Sequence, residues 1–186
     1  MKPRMGISSC LLGEKVRFDG QHKRDVFLVE TLGWFVEWVP VCPEMEAGMG
    51  VPMESVRLVG ALKNPRLIGE KSGRDWTKPM QQFSQRRVKQ LKGFNLSGYV
   101  LKKKSPSCGL ERVKVYGKKE IPSLNGRGIF AAALLFHLPL LPAEEEGRLN
   151  DPKVRENFIE RIFAYQRWHA LAKEKKSPHA IILFHK

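Results

Sequence analysis

The chain is poor in cysteine, poor in acid and without a long apolar run, and each shortage closes off a class of protein. Its only cysteines are Cys10, Cys42 and Cys108. An odd number cannot pair internally, and none stands in a Cys-x-x-Cys spacing. Neither a secreted disulfide framework nor a paired-cysteine zinc finger therefore fits. The apolar run Ile129 to Leu135, extended only by Phe136, suits one buried helix and falls far below the roughly 20 residues that span a bilayer. Met1-Lys2-Pro3-Arg4 leads directly into a short strand pattern, with no secretory signal. The sequence contains no internal repeat and no low-complexity segment. The expectation is a cytoplasmic protein in a reducing compartment, with no membrane partner.

Acid is the second shortage. There are 19 Asp and Glu against 33 Lys and Arg, a net charge of +14, and the pI is near 9.9. Such an excess favours a polyanionic partner, nucleic acid first and an anionic membrane surface second, with a merely solubilising surface as the plain alternative. Its 186 residues, 42% of them apolar, suffice for one domain with a proper core and an appended element.

What is present alternates between strands and helices. Residues 3–10, about 35–41 and about 97–103 read as strands. Asp25 to Gly33 has Phe27, Leu28 and Leu32 at helical spacing. Leu58 to Ile68 carries short β-like runs around Asn64-Pro65. Asp75-Trp76-Thr77-Lys78-Pro79 reads as a helix start, with Thr77 as cap and Pro79 in the first turn, followed by the apolar face Met80, Phe83, Val88 and Leu91. Val113 to Tyr116 is a short strand or hairpin arm, Ile129 to His137 a compact helix, and Leu138 to Leu141 a final buried strand. Glu144-Glu145-Glu146-Gly147 reads as a solvated turn, and a long amphipathic helix begins at Pro152 with Val154, Phe158, Ile162 and Tyr165 on one face. The pattern predicts an α/β fold, a three-layer Rossmann-like domain with a mostly parallel sheet over residues 1–151, and a basic helical extension over 152–186. Within that extension a further helix is expected at Ala180 to Phe184, as the beginning of an incomplete second domain.

Each cysteine falls at the carboxyl end of an expected strand: Cys10 after Ile7, Cys42 after Val41, and Cys108 in Lys104-Ser105-Pro106-Ser107-Cys108-Gly109. Ligands of open parallel sheets bind along that edge. Several chemistries stay open for three such thiols. They are a Cys₃His structural zinc, a catalytic zinc with an open position, an iron–sulfur cluster with one free iron, a lone nucleophilic cysteine, or buried thiols serving as small hydrophobes.

Four motifs then resemble the bacterial thiouracil desulfidase family. They are Ser8-Ser9-Cys10-Leu11-Leu12-Gly13, Arg17-Phe18-Asp19-Gly20, Val41-Cys42-Pro43-Glu44 and Lys104-Ser105-Pro106-Ser107-Cys108-Gly109. Asp75-Trp76-Thr77 and Arg148-Leu149-Asn150-Asp151 are similar to it as well. The resemblance runs from about residue 4 to 150, and the tail resembles the start of a domain that often follows in transfer-RNA 2-thiouridine desulfidases. It implies a 4Fe-4S cluster held by Cys10, Cys42 and Cys108, with one iron open to a thiocarbonyl sulfur. The implied reaction is non-redox: water replaces sulfur at carbon, and sulfide leaves.

Given that site, Glu44 is the candidate general acid/base, two residues from a cluster ligand, with Glu46 a weaker alternative. Ser105 is the candidate proton relay or substrate hydrogen-bond partner. Ser9 and Ser107 are candidate donors to cluster sulfurs. Gly126-Arg127-Gly128 at a helix start is a weaker candidate for holding an anion or the pyrimidine carbonyl. Arg17, Asp19 and Lys23 form a polar loop near Cys10. The sequence departs from the family at Val51-Pro52-Met53-Glu54, where an arginine commonly follows the proline. The substrate is a thiolated pyrimidine, free 2-thiouracil or 2-thiouridine in transfer RNA. The basic charge, with Lys102-Lys103-Lys104, Lys173 and Lys175-Lys176 as phosphate contacts, favours the polymer. A zinc or redox three-cysteine protein and a non-catalytic RNA-binding or sulfur-carrier module are the competing readings.

Overall fold

The computed structural model describes residues 2–117 and 121–173. Its strands are β1 (Arg4–Ser8), β2 (Glu37–Val41), β3 (Val56–Ala61), β4 (Asn64–Gly69), β5 (Gly98–Leu101), β6 (Val113–Tyr116), β7 (Pro122–Gly126) and β8 (Ala143–Glu145). The helices are α1 (Pro43–Glu46), α2 (Thr77–Gly93), α3 (Ile129–His137) and α4 (Pro152–Lys173). The first sheet runs β2-β1-β5-β8 and is parallel throughout. The second runs β4-β3-β6-β7, two antiparallel hairpins joined by a parallel β3–β6 pair.

Alternation along the first sheet sorts side chains into two cores. Met5, Ile7 and Val100 face Leu28, Leu32, Phe158 and Ile162. Val41, Tyr99 and Leu101 face Met80, Phe83, Leu91, Phe130 and Leu134. The sheet is thus covered by α2 and α3 on one side, and by α4 with the segment around Leu28 on the other. This is the three-layer α/β arrangement, and each large side chain so buried stabilises by about 1.5–3 kcal/mol. Tyr99 lies directly across β1 from Gly6, where any Cβ would come within 2.1 Å of its ring. Glycine there is what lets the ring cross the neighbouring strand.

Several local expectations change. The stretch Asp25 to Gly33 forms a π-helical turn, Phe27–Thr31, and a 3-10 turn, Leu32–Trp34, rather than a regular helix. Thr77 is the first helical residue, not the cap; its Oγ1 accepts the Leu67 N–H at 2.8 Å, while Asp75 Oδ1 accepts the Thr77 N–H at 2.9 Å. Leu138 to Leu141 is a turn with Leu140 74% exposed, because Pro139 and Pro142 remove the donors a ladder needs. The strand starts one residue after Pro142, and the acidic triplet is not solvated: Glu144, Glu145 and Glu146 are 8%, 7% and 8% exposed. Among the described residues no helix is long and apolar enough to cross a membrane. The helix expected at Ala180 to Phe184 and the Lys175-Lys176 pair lie outside the described residues.

Candidate functional site

The carboxyl edge of the parallel sheet brings the three cysteines together on adjacent strands. After β1 the chain turns through a 3-10 segment, Ser9–Leu12, that carries Cys10 and is closed by Gly13 at φ +102°. The returning loop fastens it, with the Lys23 N–H donating to Cys10 O at 2.9 Å. After β2, Cys42 caps α1, and Glu46 Oε1 reaches back to accept the Cys42 N–H at 3.0 Å in the manner of a capping box. The other Glu46 oxygen faces Arg87 Nε at 3.4 Å.

Cys108 is fixed from two sides. Ser105 Oγ accepts the N–H groups of Ser107 and Cys108, at 3.1 and 3.0 Å. From the other side the start of α3 donates into the loop: Gly128 N–H to Gly109 O at 2.8 Å, Ile129 N–H to Pro106 O at 3.1 Å, and Phe130 N–H to Ser107 O at 3.0 Å. The unpaired donors of a helix N-terminus are thereby used on the cysteine loop. Gly128 permits this approach, since a Cβ would lie 2.4 Å from the Ser107 carbonyl. The Gly126-Arg127-Gly128 segment therefore holds protein backbone, not an anion.

All three thiols line one cavity of about 360 Å³, with Glu44 and Ser105 on the same wall. The cysteines are free and buried, at 8%, 6% and 3% exposed for Cys10, Cys42 and Cys108. Burial, and then the Glu44 carboxylate, push the Cys10 thiol up to about 11 and the Cys42 thiol up to about 12. Cys108 is raised by the same two causes, against a hydrogen bond to the Ser8 side chain. Glu44 spans the site: Oε2 lies 3.9 Å from Cys42 Sγ, and Oε1 accepts the Ser105 hydroxyl at 3.2 Å. Because both Ser105 lone pairs are occupied by backbone donors, its proton is directed to Glu44.

Other sequence candidates divide. Ser9, Arg17, Lys23 and Met53 reach the cavity wall. Asp19 instead grips Arg17, with Nε to Oδ1 at 3.3 Å, and Glu46 is committed to the start of α1 and to Arg87. Ser107 is fully buried, does not line the cavity, and its Oγ has no hydrogen-bond partner among the described residues. Lys102 lines the cavity but is ion-paired to Glu146, whose second oxygen accepts the Lys103 N–H at 2.7 Å. Lys103 and Lys104 are exposed on the rim. Sequence reasoning gave no role to Ser8, which accepts the Lys102 N–H at 3.0 Å and meets Cys108, nor to Glu54, which lines the far wall. Ser8 stands in the same Ser-Ser-Cys motif, but its role emerges only when β5 is laid beside β1.

The donor set fits an iron–sulfur cluster. Three soft sulfurs face one space, and their high affinity for protons means that only a strongly cationic group would make them thiolates. Among the described residues no group of three His, Cys, Asp or Glu side chains is placed to hold a single metal ion. All three thiols line the same cavity, the shared space that ligands of a multi-iron group would need. Comparisons agree. The 4Fe-4S-dependent thiouracil desulfidase TudS superposes with a TM-score of 0.69 at 28% identity, covering 84% of this chain and 99% of that one. The uncharacterized protein YbbK of Bacillus subtilis (strain 168) is 30% identical over 136 residues, 69% of this chain and 87% of its own. The family model of the 2-thiouracil desulfurases matches residues 5–146, and with three quarters of its length so matched the chain belongs to that family.

Proposed function

We propose that the protein is a 4Fe-4S-dependent desulfidase that converts a 2-thiopyrimidine to its oxo form and sulfide without net redox change. The observation that carries this reading is the convergence of three buried thiols on one cavity that also holds the Glu44–Ser105 pair. Cys10, Cys42 and Cys108 would hold the cluster. When bound, it supplies an open iron, a soft Lewis acid suited to thiocarbonyl sulfur.

The remaining chemistry belongs to side chains. Glu44 takes the proton of the water that adds at the thiocarbonyl carbon and later returns it to the departing group. Ser105 holds that carboxylate in place, since its hydrogen has nowhere else to go. Ser9, on the cavity wall, is proposed to donate to the cluster's sulfurs. Arg17 and Lys23 line the same cavity and are proposed to meet the second pyrimidine oxygen. A cavity of about 360 Å³ is at the small end of ligand pockets and suits one base rather than a folded polymer.

The +14 charge and the exposed Lys103 and Lys104 on the rim favour 2-thiouridine within transfer RNA over free 2-thiouracil, the polymer inserting only its modified base. In this reading residues 1–151 are the catalytic unit, and the segment from 152 extends it, beginning with α4. A reducing cytoplasm is the compartment that suits three free thiols and an open-iron cluster.

The test is anaerobic reconstitution followed by incubation with 2-thiouracil and with thiolated transfer RNA, quantifying oxo product and sulfide. Both form in equal amounts if the reading holds. The Glu44→Gln variant keeps its iron and loses turnover by on the order of 10²- to 10⁴-fold. An intact cluster with no sulfur removed from either substrate rules the reading out.

A further inference from the structure

A second cavity, of about 620 Å³, adjoins the first. The two share Val56, Lys104 and Pro106 in their linings, so they lie side by side. The floor of the second is the mixed sheet, through Arg57 and Leu58 on β3 and Val113, Lys114 and Tyr116 on β6. Four cations line it, Arg57, Lys104, Arg112 and Lys114, against one carboxylate, Glu70. Glu70 is turned aside: its carboxylate accepts the Ser55 hydroxyl, and its N–H donates to Ser55 O at 2.9 Å. Lys104, Arg112 and Lys114 are exposed and form no ion pair among the described residues.

Two features show that this is more than a solvated basic face. Lys104 and Arg112 have φ of 60° and 55°, and among the described residues only Asn95 is another non-glycine residue with positive φ. Side-chain-bearing residues adopt that conformation rarely, and such strain collects where function uses it. Tyr116 also lines the cleft, with the Arg57 guanidinium over its ring at 5.1 Å, which steadies an aromatic surface among the cations. Cations alternating with a stacking surface are what a single-stranded polynucleotide requires, phosphates for the first and bases for the second. An acidic peptide would use the cations and leave the ring idle.

We propose that this cleft binds the single-stranded RNA segment flanking the thiolated nucleotide. Its phosphodiesters are met by Lys104, Arg112 and Lys114, and a neighbouring base lies on Tyr116. The assignment builds on the reading of the first cavity as the site of one thiolated base, and it commits the substrate to a polymer.

The test is fluorescence anisotropy of an unthiolated, labelled single-stranded oligoribonucleotide of on the order of ten residues, titrated across a salt series. The Arg112→Asn/Lys114→Gln protein, with Asn tolerating the left-handed backbone at 112, is expected to bind roughly tenfold more weakly near 0.1 M salt. Its slope of log K against log salt falls by about 1.4, or about 0.7 for each phosphate no longer neutralised. Tyr116→Leu weakens binding and leaves the slope unchanged. A charge-matched control on the exposed side of α2, Arg86→Gln/Lys89→Gln, stays within about twofold of the parent. The proposal is overturned if the cleft variant keeps the parent affinity and slope, or if the α2 control weakens binding as much. No sulfur is removed in this measurement, so its outcome is independent of whether the first cavity desulfurates.

Discussion

At the scale of single residues, Glu44 acts on all three thiols. The carboxylate raises the proton affinity of Cys10, Cys42 and Cys108, burial being the larger cause in each. In the metal-free protein the thiols are therefore neutral at ordinary pH. The sign for stability follows. The folded state holds these protons above the pH at which unfolded thiols release them, so the contribution is fully present below about pH 9. It is lost as pH rises through about 11 and 12, the values of Cys10 and Cys42. Denaturant melts of the apo-protein between pH 8 and 12 are expected to show stability falling across that window, and falling less steeply in Cys42→Ala. The pairing of Glu44 with Cys42 was legible from their two-residue spacing. The demotion of Glu46 was not, since it depends on a bond to the Cys42 N–H and on Arg87, 41 positions away.

At the scale of elements, the site is held by interactions between segments distant in sequence. The N-terminus of α3 clamps the loop of Cys108, and Gly128 leaves no room for a side chain against Ser107. Gly128→Ala is expected to cost about 1–3 kcal/mol of stability and to lower iron retention, read by denaturant titration and metal analysis. On the opposite side, Glu146 anchors Lys102 and the Lys103 N–H, while Glu145 Oε1 accepts the Leu110 N–H at 2.8 Å. With Lys102 and Glu146 at 15% and 9% side-chain exposure, Glu146→Leu alone leaves a half-buried ammonium without its counterion and costs about 1–3 kcal/mol. The Lys102→Met/Glu146→Leu double variant recovers much of that loss, a contrast that a thermal melt resolves. These carboxylates explain why Glu144-Glu145-Glu146 misreads as a turn. Local composition says solvated, and the partners that make burial of Glu145 and Glu146 tolerable come from 34 to 44 positions upstream, while Glu144 pairs with Arg148.

At the scale of the molecule, alternating strands and helices made the three-layer domain legible, and adjacent parallel strands gathered the cysteines on one edge. The second sheet was only half legible. Its strands are four to six residues long, and the β3–β6 pairing that unites its hairpins joins Leu58 to Val115, far apart in sequence. Helix α4 was read as an extension, and its apolar face, through Phe158 and Ile162, closes the core beside β1 and β5. Sequence motifs suggested a cluster by resemblance, and the fold supplies what motifs cannot: a cavity that all three thiols share.

That shared cavity is the central claim. The most direct measurement of it is the iron and sulfide content per chain after anaerobic reconstitution of the parent protein and of Cys10→Ser, Cys42→Ser and Cys108→Ser. About four irons and four sulfides are expected in the parent, and a loss of most of both in each single variant, with the fold retained. Full iron content in any one of the three variants, or a parent that takes up no cluster, contradicts it.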